Sequence, residues 1–178
     1  MVSCYAVSTS WSKILNHNNF NQGKIESKTN SVTLTANDDL ENSGSIIVHQ
    51  NITSIGSENI NNSGSILASN DMKLETSGKF INSKRANIGS GKNLTLLAED
   101  GIDNEGEILA LNGKANIKSG ENIINRESGS ISSELGSEVI ADQEIVNNGT
   151  VISENNIDIK AKEDILNGHK GQVKSEKK

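Results

Sequence analysis

Few side chains in this sequence have the types and spacing that catalysis or metal binding requires. The three histidines, His17, His49 and His169, lie far apart and occupy unrelated positions along the chain, so they predict neither a metal cluster nor a catalytic dyad. Cys4 is the only cysteine and therefore cannot form an internal disulfide. We expect no catalytic residue, no metal ligand and no cofactor site, and we interpret the histidines as exposed turn residues.

Paired aspartates are the residues most suited to calcium. Asp38 stands beside Asp39, and Asp100 is close to Asp103. Neither pair follows the order of an EF-hand loop or the glycine-rich nonapeptide of calcium-binding β-rolls. The sequence therefore does not predict a calcium site.

Composition excludes two further classes of protein. The chain has 178 residues, a net charge of -6, no proline and 2% aromatic residues. Lysine and glutamate are spread along its length, and the only basic block is the short tail 174–178, so nucleic acid is not an expected partner. No run of eighteen apolar residues occurs, which predicts no transmembrane helix. The first residues lack the basic and apolar regions of a signal peptide.

A short phrase recurs along the chain. It reads "LENSGSI" at 40–46, "INNSGSI" at 60–66 and "IDNEGEI" at 102–108. Its asparagine returns at intervals of 20 to 22 residues, as Asn21, Asn42, Asn62, Asn82, Asn104, Asn125, Asn147 and Asn167. A glycine follows two or four residues later, as Gly23, Gly44, Gly64, Gly106, Gly129, Gly149 and Gly171. Only the fourth copy, "FINSKRANIGSG", lacks this glycine, and a repeat of this length is typical of stacked architectures.

The residues around each phrase alternate between apolar and polar. Val32, Leu34 and Ala36 form one such run, and Leu94, Leu96 and Ala98 form another. Alternation with a period of two predicts strands, and asparagine and glycine supply the turns between them. A unit of about twenty residues cannot bury its own apolar face, so we expect the copies to stack as coils of a solenoid with parallel strands. Eight coils at about 4.8 Å give a rod of roughly 35 to 40 Å.

The recurring asparagine has a use in such a stack. Its side-chain amide carries both donors and an acceptor, so equivalent residues one coil apart can hydrogen-bond in a ladder. We therefore predict that these eight asparagines form a structural ladder and that the seven glycines lie in turns.

Units such as "TLTANDDLENSGSIIV" and "LTLLAEDGIDNEGEILA" resemble the haemagglutinin repeat of filamentous haemagglutinin-type exoproteins. The resemblance covers roughly residues 20–173. It implies an all-β fold, a right-handed parallel β-helix of about eight coils. It also implies two-partner secretion through an outer-membrane protein, display on the cell surface or release, and adhesion to a receptor on a host or neighbouring cell.

Three parts of the chain are distinguished on this basis. Residues 1–19 form a non-repeat segment, either a leader or a cap over the first coil; 20–173 form the repeat domain; and 174–178 form a charged tail. We expect no counterpart of the family's long secretion domain among these residues and no toxin domain after Lys178. The chain is thus expected to be a piece of shaft.

Two other functions stay open beside a non-catalytic adhesive shaft. One is the stalk of a contact-dependent growth inhibition toxin. The other is a β-helix enzyme that cleaves polysaccharides, for which Glu75, Glu99 and Glu121 would be the candidate carboxylates. Such enzymes wall a substrate groove with long loops, and intervals of 20 to 22 residues leave no room for them. We interpret these glutamates as a solvated face.

Overall fold

The architecture is an all-β stack in which every coil has three short strands. The computed structural model describes residues 12–16, 19–56 and 58–176, and no helix occurs among them. The strands of the first four coils are β1 (Ser12–Asn16), β2 (Asn19–Asn21), β3 (Lys24–Ser27), β4 (Val32–Ala36), β5 (Leu40–Asn42), β6 (Ser45–Val48), β7 (Ile52–Gly56), β8 (Ile60–Asn62), β9 (Ser65–Ala68), β10 (Met72–Thr76), β11 (Phe80–Asn82) and β12 (Asn87–Ser90).

The second half of the stack repeats the same order. Its strands are β13 (Leu94–Ala98), β14 (Ile102–Asn104), β15 (Glu107–Ala110), β16 (Lys114–Ser119), β17 (Ile123–Asn125), β18 (Ser130–Ser133), β19 (Gly136–Ala141), β20 (Ile145–Asn147), β21 (Thr150–Ser153), β22 (Ile157–Ala161), β23 (Ile165–Asn167) and β24 (Gln172–Ser175).

Strands of successive coils pair in parallel and form three long sheets. Sheet A joins every third strand from β1 to β22, sheet B those from β2 to β23, and sheet C those from β3 to β24, with eight strands in each sheet. Equivalent residues of successive coils pair with each other, so that Leu74 pairs with Leu96 and Phe80 pairs with Ile102. The predicted fold class, a parallel β-solenoid, is confirmed: the eight strands of each sheet follow one another through about 7 turns of about 21 residues each.

The core consists of columns of equivalent side chains. On sheet A the alternating strands bury every second residue, as β4 and β13 show. On sheet C a column of branched residues runs from Ile25 to Val151 and is buried throughout. Because the coil repeats, each apolar residue lies on a similar residue of the next coil, and burial of each is worth about 1.5–3 kcal/mol. The fold therefore rests on many similar layers.

The two ends of the stack differ in what the structure describes. At the carboxyl end Ile165 and Val173, which continue buried columns, are 53% and 46% exposed. At the amino end β1 lies within the segment 1–19 and pairs with β4. Cys4, Trp11 and His17 lie outside the described residues, so the limit of the repeat at residue 20 and the role of this segment as leader or cap stay predictions.

Candidate functional site

The eight repeated asparagines stand in one column at the ends of the sheet B strands. Their backbones pair in register from coil to coil, as Asn62 does with Asn82. The side-chain Nδ2 of each asparagine donates to Oδ1 of the next one along the chain. The seven distances, from Asn21–Asn42 to Asn147–Asn167, lie between 2.7 and 2.9 Å.

The same amides make a second bond to the main chain. Asn82 Nδ2 also donates to the carbonyl of Glu107 at 3.1 Å, and Asn104 Nδ2 donates to that of Ser130 at 3.3 Å. Both residues are fully buried. Each amide group therefore ties three strands together, because it lies on sheet B, contacts its equivalent in the next coil, and reaches the first residue of a sheet C strand.

A second column lies at the turn between sheets B and C. It contains the residue directly before each sheet C strand, namely Gly23, Gly44, Gly64, Ala86, Gly106, Gly129, Gly149 and Gly171. The carbonyl of Gly44 accepts from the amide of Ser65 in the next coil at 3.0 Å. A Cβ at Gly64 would lie 2.0 Å from the carbonyl oxygen of Gly44, whereas a Cβ at Gly23 would meet nothing within 4 Å.

The fourth coil fills this column without a glycine. Its turn is two residues longer than that of the third coil, and Arg85 adopts a positive φ of 68°. The amide of Ala86 donates to the carbonyl of Ser83 at 2.9 Å, and Ala86 itself is buried. The longer turn alone does not explain the alanine, because Gly129 and Gly171 end turns of the same length and a Cβ there would lie 2.4 Å and 2.2 Å from a carbonyl oxygen; the positive φ of Arg85 distinguishes the turn of the fourth coil. The spacing from the asparagines did not identify Ala86. Its place in the column becomes visible only when the coils are aligned on the sheet C strand that follows.

Two outer ladders were also missed by the sequence reasoning. Before sheet A, Asn51 Oδ1 accepts from the amide of Asp71, and Asp71 Oδ1 accepts from that of Asn93, both at 3.1 Å. Before sheet B, Asn59 Oδ1 accepts from the amide of Lys79 at 2.9 Å. An Asn or Asp immediately before an alternating run is the signal that could have revealed them, because short polar side chains cap neighbouring backbone groups.

Some inward positions are polar rather than apolar. The hydroxyl of Ser54 lies in a column between Leu34 and Leu74, is buried, and has no hydrogen-bond partner among the described residues. By contrast, the buried Ser133 hydroxyl lies 2.8 Å from that of Ser137 and donates to that of Ser153 at 3.1 Å. The inward columns of the stack therefore contain buried serines as well as apolar residues.

Charged residues pair across coils on the outer surface. Arg126 binds both carboxylate oxygens of Asp103 at 2.6 Å, and this hydrogen bond, with the charge of Asp103, raises the pKa of the guanidinium. Lys170 pairs with Glu127 at 2.8 Å and lowers the pKa of that carboxyl. Exposed pairs of this kind contribute little to stability.

Residues with possible chemistry are dispersed over the surface. His49 and His169 are exposed, and Glu99 and Glu121 lie on exposed turns that follow β13 and β16. Glu75 is partly exposed on β10 and pairs with Lys73 at 2.8 Å. Over the ranges 12–16, 19–56 and 58–176, no group of three or more His, Cys, Asp or Glu residues is arranged to hold a metal ion.

Stacked parallel coils, internal side-chain ladders and short turns define the class of this protein as a β-solenoid repeat protein. The model of the haemagglutinin repeat family matches residues 12–44, 29–134 and 110–176. No curated protein and no solved structure matches the chain. The matched ranges cover most of the sequence, and the chain belongs to the haemagglutinin repeat family.

Membership of this family agrees with the fold and gives a general functional class. The repeat and the solenoid fit the shaft of a haemagglutinin-like adhesin, and the family is generally structural or adhesive rather than enzymatic. Proteins with this repeat are typically secreted or associated with the cell surface. In the part of the chain that the structure describes, no helix has the length and apolarity to cross a membrane.

Proposed function

We propose that this chain is a shaft segment of a secreted or surface-displayed adhesin, and that it mediates attachment to a receptor on a host or neighbouring cell without catalysis. The observation that carries the proposal is the unbroken asparagine ladder, which links all eight coils with bonds of 2.7 to 2.9 Å. Such a stack has the same contacts at every step, so it is suited to hold an adhesive surface at a distance.

The ladder and the glycine column have structural roles in this proposal. Asparagine suits the end of each sheet B strand because its side-chain amide both donates and accepts hydrogen bonds. Glycine suits the following turn because the backbones of successive coils approach closely there. We also propose secretion through an outer-membrane partner, display in the outer membrane and a role in virulence, and membership of the haemagglutinin repeat family supports these proposals.

Attachment is the activity to measure. Beads coated with the purified chain are offered to epithelial cells, erythrocytes and bacterial cells, and attached beads are counted. The control beads carry the heat-denatured chain, whose loss of the β-spectrum is verified by circular dichroism. Binding by the folded chain alone supports the proposal, whereas equal binding by both sets of beads contradicts it.

Catalysis is tested on the same sample. The chain is incubated with plant and bacterial polysaccharides, and new reducing ends are measured. The proposal expects none above the level without protein. Turnover that is lost on replacing Glu75 with glutamine would contradict a purely adhesive role.

A further inference from the structure

The outer surface of sheet C carries an apolar row. Between β6 and β21, strand pairing places one outward residue of each coil directly above the next. We name these six residues the apolar row: Ile47, Leu67, Gly89, Leu109, Ser132 and Ile152. None is buried, and Leu67 is 38% exposed.

The row beside it is almost free of charge. Its outward residues, from Ser45 to Thr150, include Glu107 as the only charged one. On the outer face of sheet A, by contrast, Lys73 and Glu75 lie on β10, and Lys118 of β16 forms an ion pair with Glu138 of β19 at 2.9 Å. A broad exposed face with apolar residues and little charge is typical of a protein interface.

Charges of opposite sign end the apolar row. Glu26 precedes Ile47 in the register of β3, and Lys174 follows Ile152 in that of β24. Each of these side chains already has a partner in its own coil, Glu26 in Lys24 at 2.9 Å and Lys174 in Glu176 at 2.5 Å, and the row has an acidic side chain at one end and a basic one at the other. A row of this kind complements itself when it is reversed.

We propose that sheet C is a self-association face on which two copies of this chain pack antiparallel. The two-fold axis runs along the strand direction between β12 and β15. A rotation of 180° about this axis reverses the order of the coils but keeps the strand direction. Each outward row of one copy therefore faces the same row of the other copy, in reversed order. The inference concerns contacts between shafts and does not depend on adhesion to a receptor.

The apolar contacts that follow are well matched. Ile47 of one copy faces Ile152 of the other, and Leu67 faces Ser132. Leu109 faces Gly89, which leaves a gap in the row because it has no side chain. A Cβ at residue 89 would lie 3.0 Å from Cδ2 of Leu67, so this methyl group leans over Gly89 and Leu109 of the other copy meets it there.

The polar contacts are matched as well. Glu26 faces Lys174, and Glu107 faces Asn87, whose amide can donate to a carboxylate. Like charges do not face each other in this arrangement. In a parallel arrangement with the two-fold axis along the stack, the apolar row would face the polar row if the axis lay between the rows. If the axis lay on the apolar row, Glu26 would face Glu26 and Lys174 would face Lys174. Both cases favour the antiparallel arrangement.

The size of the face predicts a weak dimer. Eight strands of four residues present a projected area of about 500 Å² per copy, at about 4.8 Å between strands and 3.3 Å per residue. This is below the roughly 800 Å² per partner of stable complexes. Association is therefore expected to depend on concentration.

The first test is the mass in solution. Sedimentation equilibrium of the full chain from about 5 µM to about 500 µM, a range that spans weak affinities, is expected to show a rise from 19.0 kDa toward twice that mass. Leu67→Lys should weaken the dimer by roughly tenfold or more, because it places a charge in an apolar contact. Leu97→Lys, at an outward position of sheet A, is the matched control and should leave the dissociation constant unchanged.

A charge-pair experiment tests the orientation. Leu67 and Ser132 lie on β9 and β18, three strands and about 14 Å apart in one copy, but face each other between antiparallel copies. Adding Ser132→Glu to Leu67→Lys should therefore restore most of the lost affinity. A monomer across the whole range, equal weakening by Leu97→Lys, or no restoration by the second substitution overturns the proposal. Circular dichroism of each variant verifies that its fold is retained.

Discussion

Asn82 donates a hydrogen bond from Nδ2 to Oδ1 of Asn104 at 2.9 Å, although 22 positions separate the two residues. Both side chains are fully buried, and each amide also reaches a carbonyl on sheet C. A buried amide with all its hydrogen bonds made specifies one alignment of the coils, because a shift by one residue would leave it unpaired.

The ladder predicts that the stability of the fold depends strongly on the side-chain amides of the asparagines in the middle of the stack. Asn104→Asp replaces an NH₂ group that donates to Asn125 and Ser130 by a carboxylate that cannot donate. Loss of both bonds and burial of a charge should lower the free energy of unfolding by about 3 kcal/mol or more. Asn167→Asp at the exposed end is the control and should cost well under about 1 kcal/mol. Urea denaturation measures both, and equal costs would contradict a buried ladder.

The glycine column predicts a position-specific effect of a single methyl group. Gly64→Ala places a Cβ 2.0 Å from the carbonyl oxygen of Gly44, so the coils must move apart, and we expect a loss of at least about 2 kcal/mol. Gly23→Ala meets no atom within 4 Å and should change stability by less than about 0.5 kcal/mol. Thermal unfolding of the two variants provides the comparison. Similar melting temperatures would show that close approach does not select glycine here.

The buried hydroxyl of Ser54 predicts a stabilising substitution. Because this oxygen has no hydrogen-bond partner among the described residues, Ser54→Ala should raise the free energy of unfolding by about 1 kcal/mol. Ser133→Ala removes a hydroxyl that contacts two other serines and should instead lower it by about 1 kcal/mol. Chemical denaturation should give opposite signs for the two variants, and a loss of stability in Ser54→Ala would refute this interpretation.

The pair between Glu127 and Lys170 predicts a measurable titration. The ammonium group lowers the pKa of Glu127 below its ordinary value of 4.5. Any stabilisation by this pair is present above the unfolded pKa and is lost as the pH falls through the lower, folded value. Lys170→Gln should return the pKa of Glu127 toward 4.5, as measured by NMR of the side-chain carboxyl. Lys162→Gln, which removes a pair with Asp142, should leave it unchanged.

Much of the architecture follows from the sequence because the repeat imposes it. Alternation in runs such as 32–36 and 94–98 identifies the strands, and the spacing of the asparagines identifies the coil. Equivalent residues of identical coils must stack, so the alignment of Asn62 on Asn82 can be inferred without a structure.

The details that escaped prediction depend on small deviations between coils. Ala86 takes the place of a glycine in a turn that is longer by two residues and contains the positive φ of Arg85, and the spacing of the asparagines does not show this. Ser54 occupies an apolar column because an occasional polar residue is tolerated among many similar layers. The outer ladder through Asn51 and Asp71 forms at positions where the sequence alternates between two residue types that serve the same purpose.

Each coil of the stack is expected to act as an interchangeable unit. The most direct measurement compares two deletions by small-angle scattering and denaturation. Deletion of residues 61–80 joins Ile60 to Ile81, removes one whole coil and preserves the phase of the repeat. We predict a rod about 5 Å shorter that still unfolds cooperatively. Deletion of residues 61–70 removes half a coil and should lose about 3 kcal/mol or more, since it breaks the ladder and the core columns. Equal stability of the two deletion variants would contradict the role of the coil as the unit of the stack.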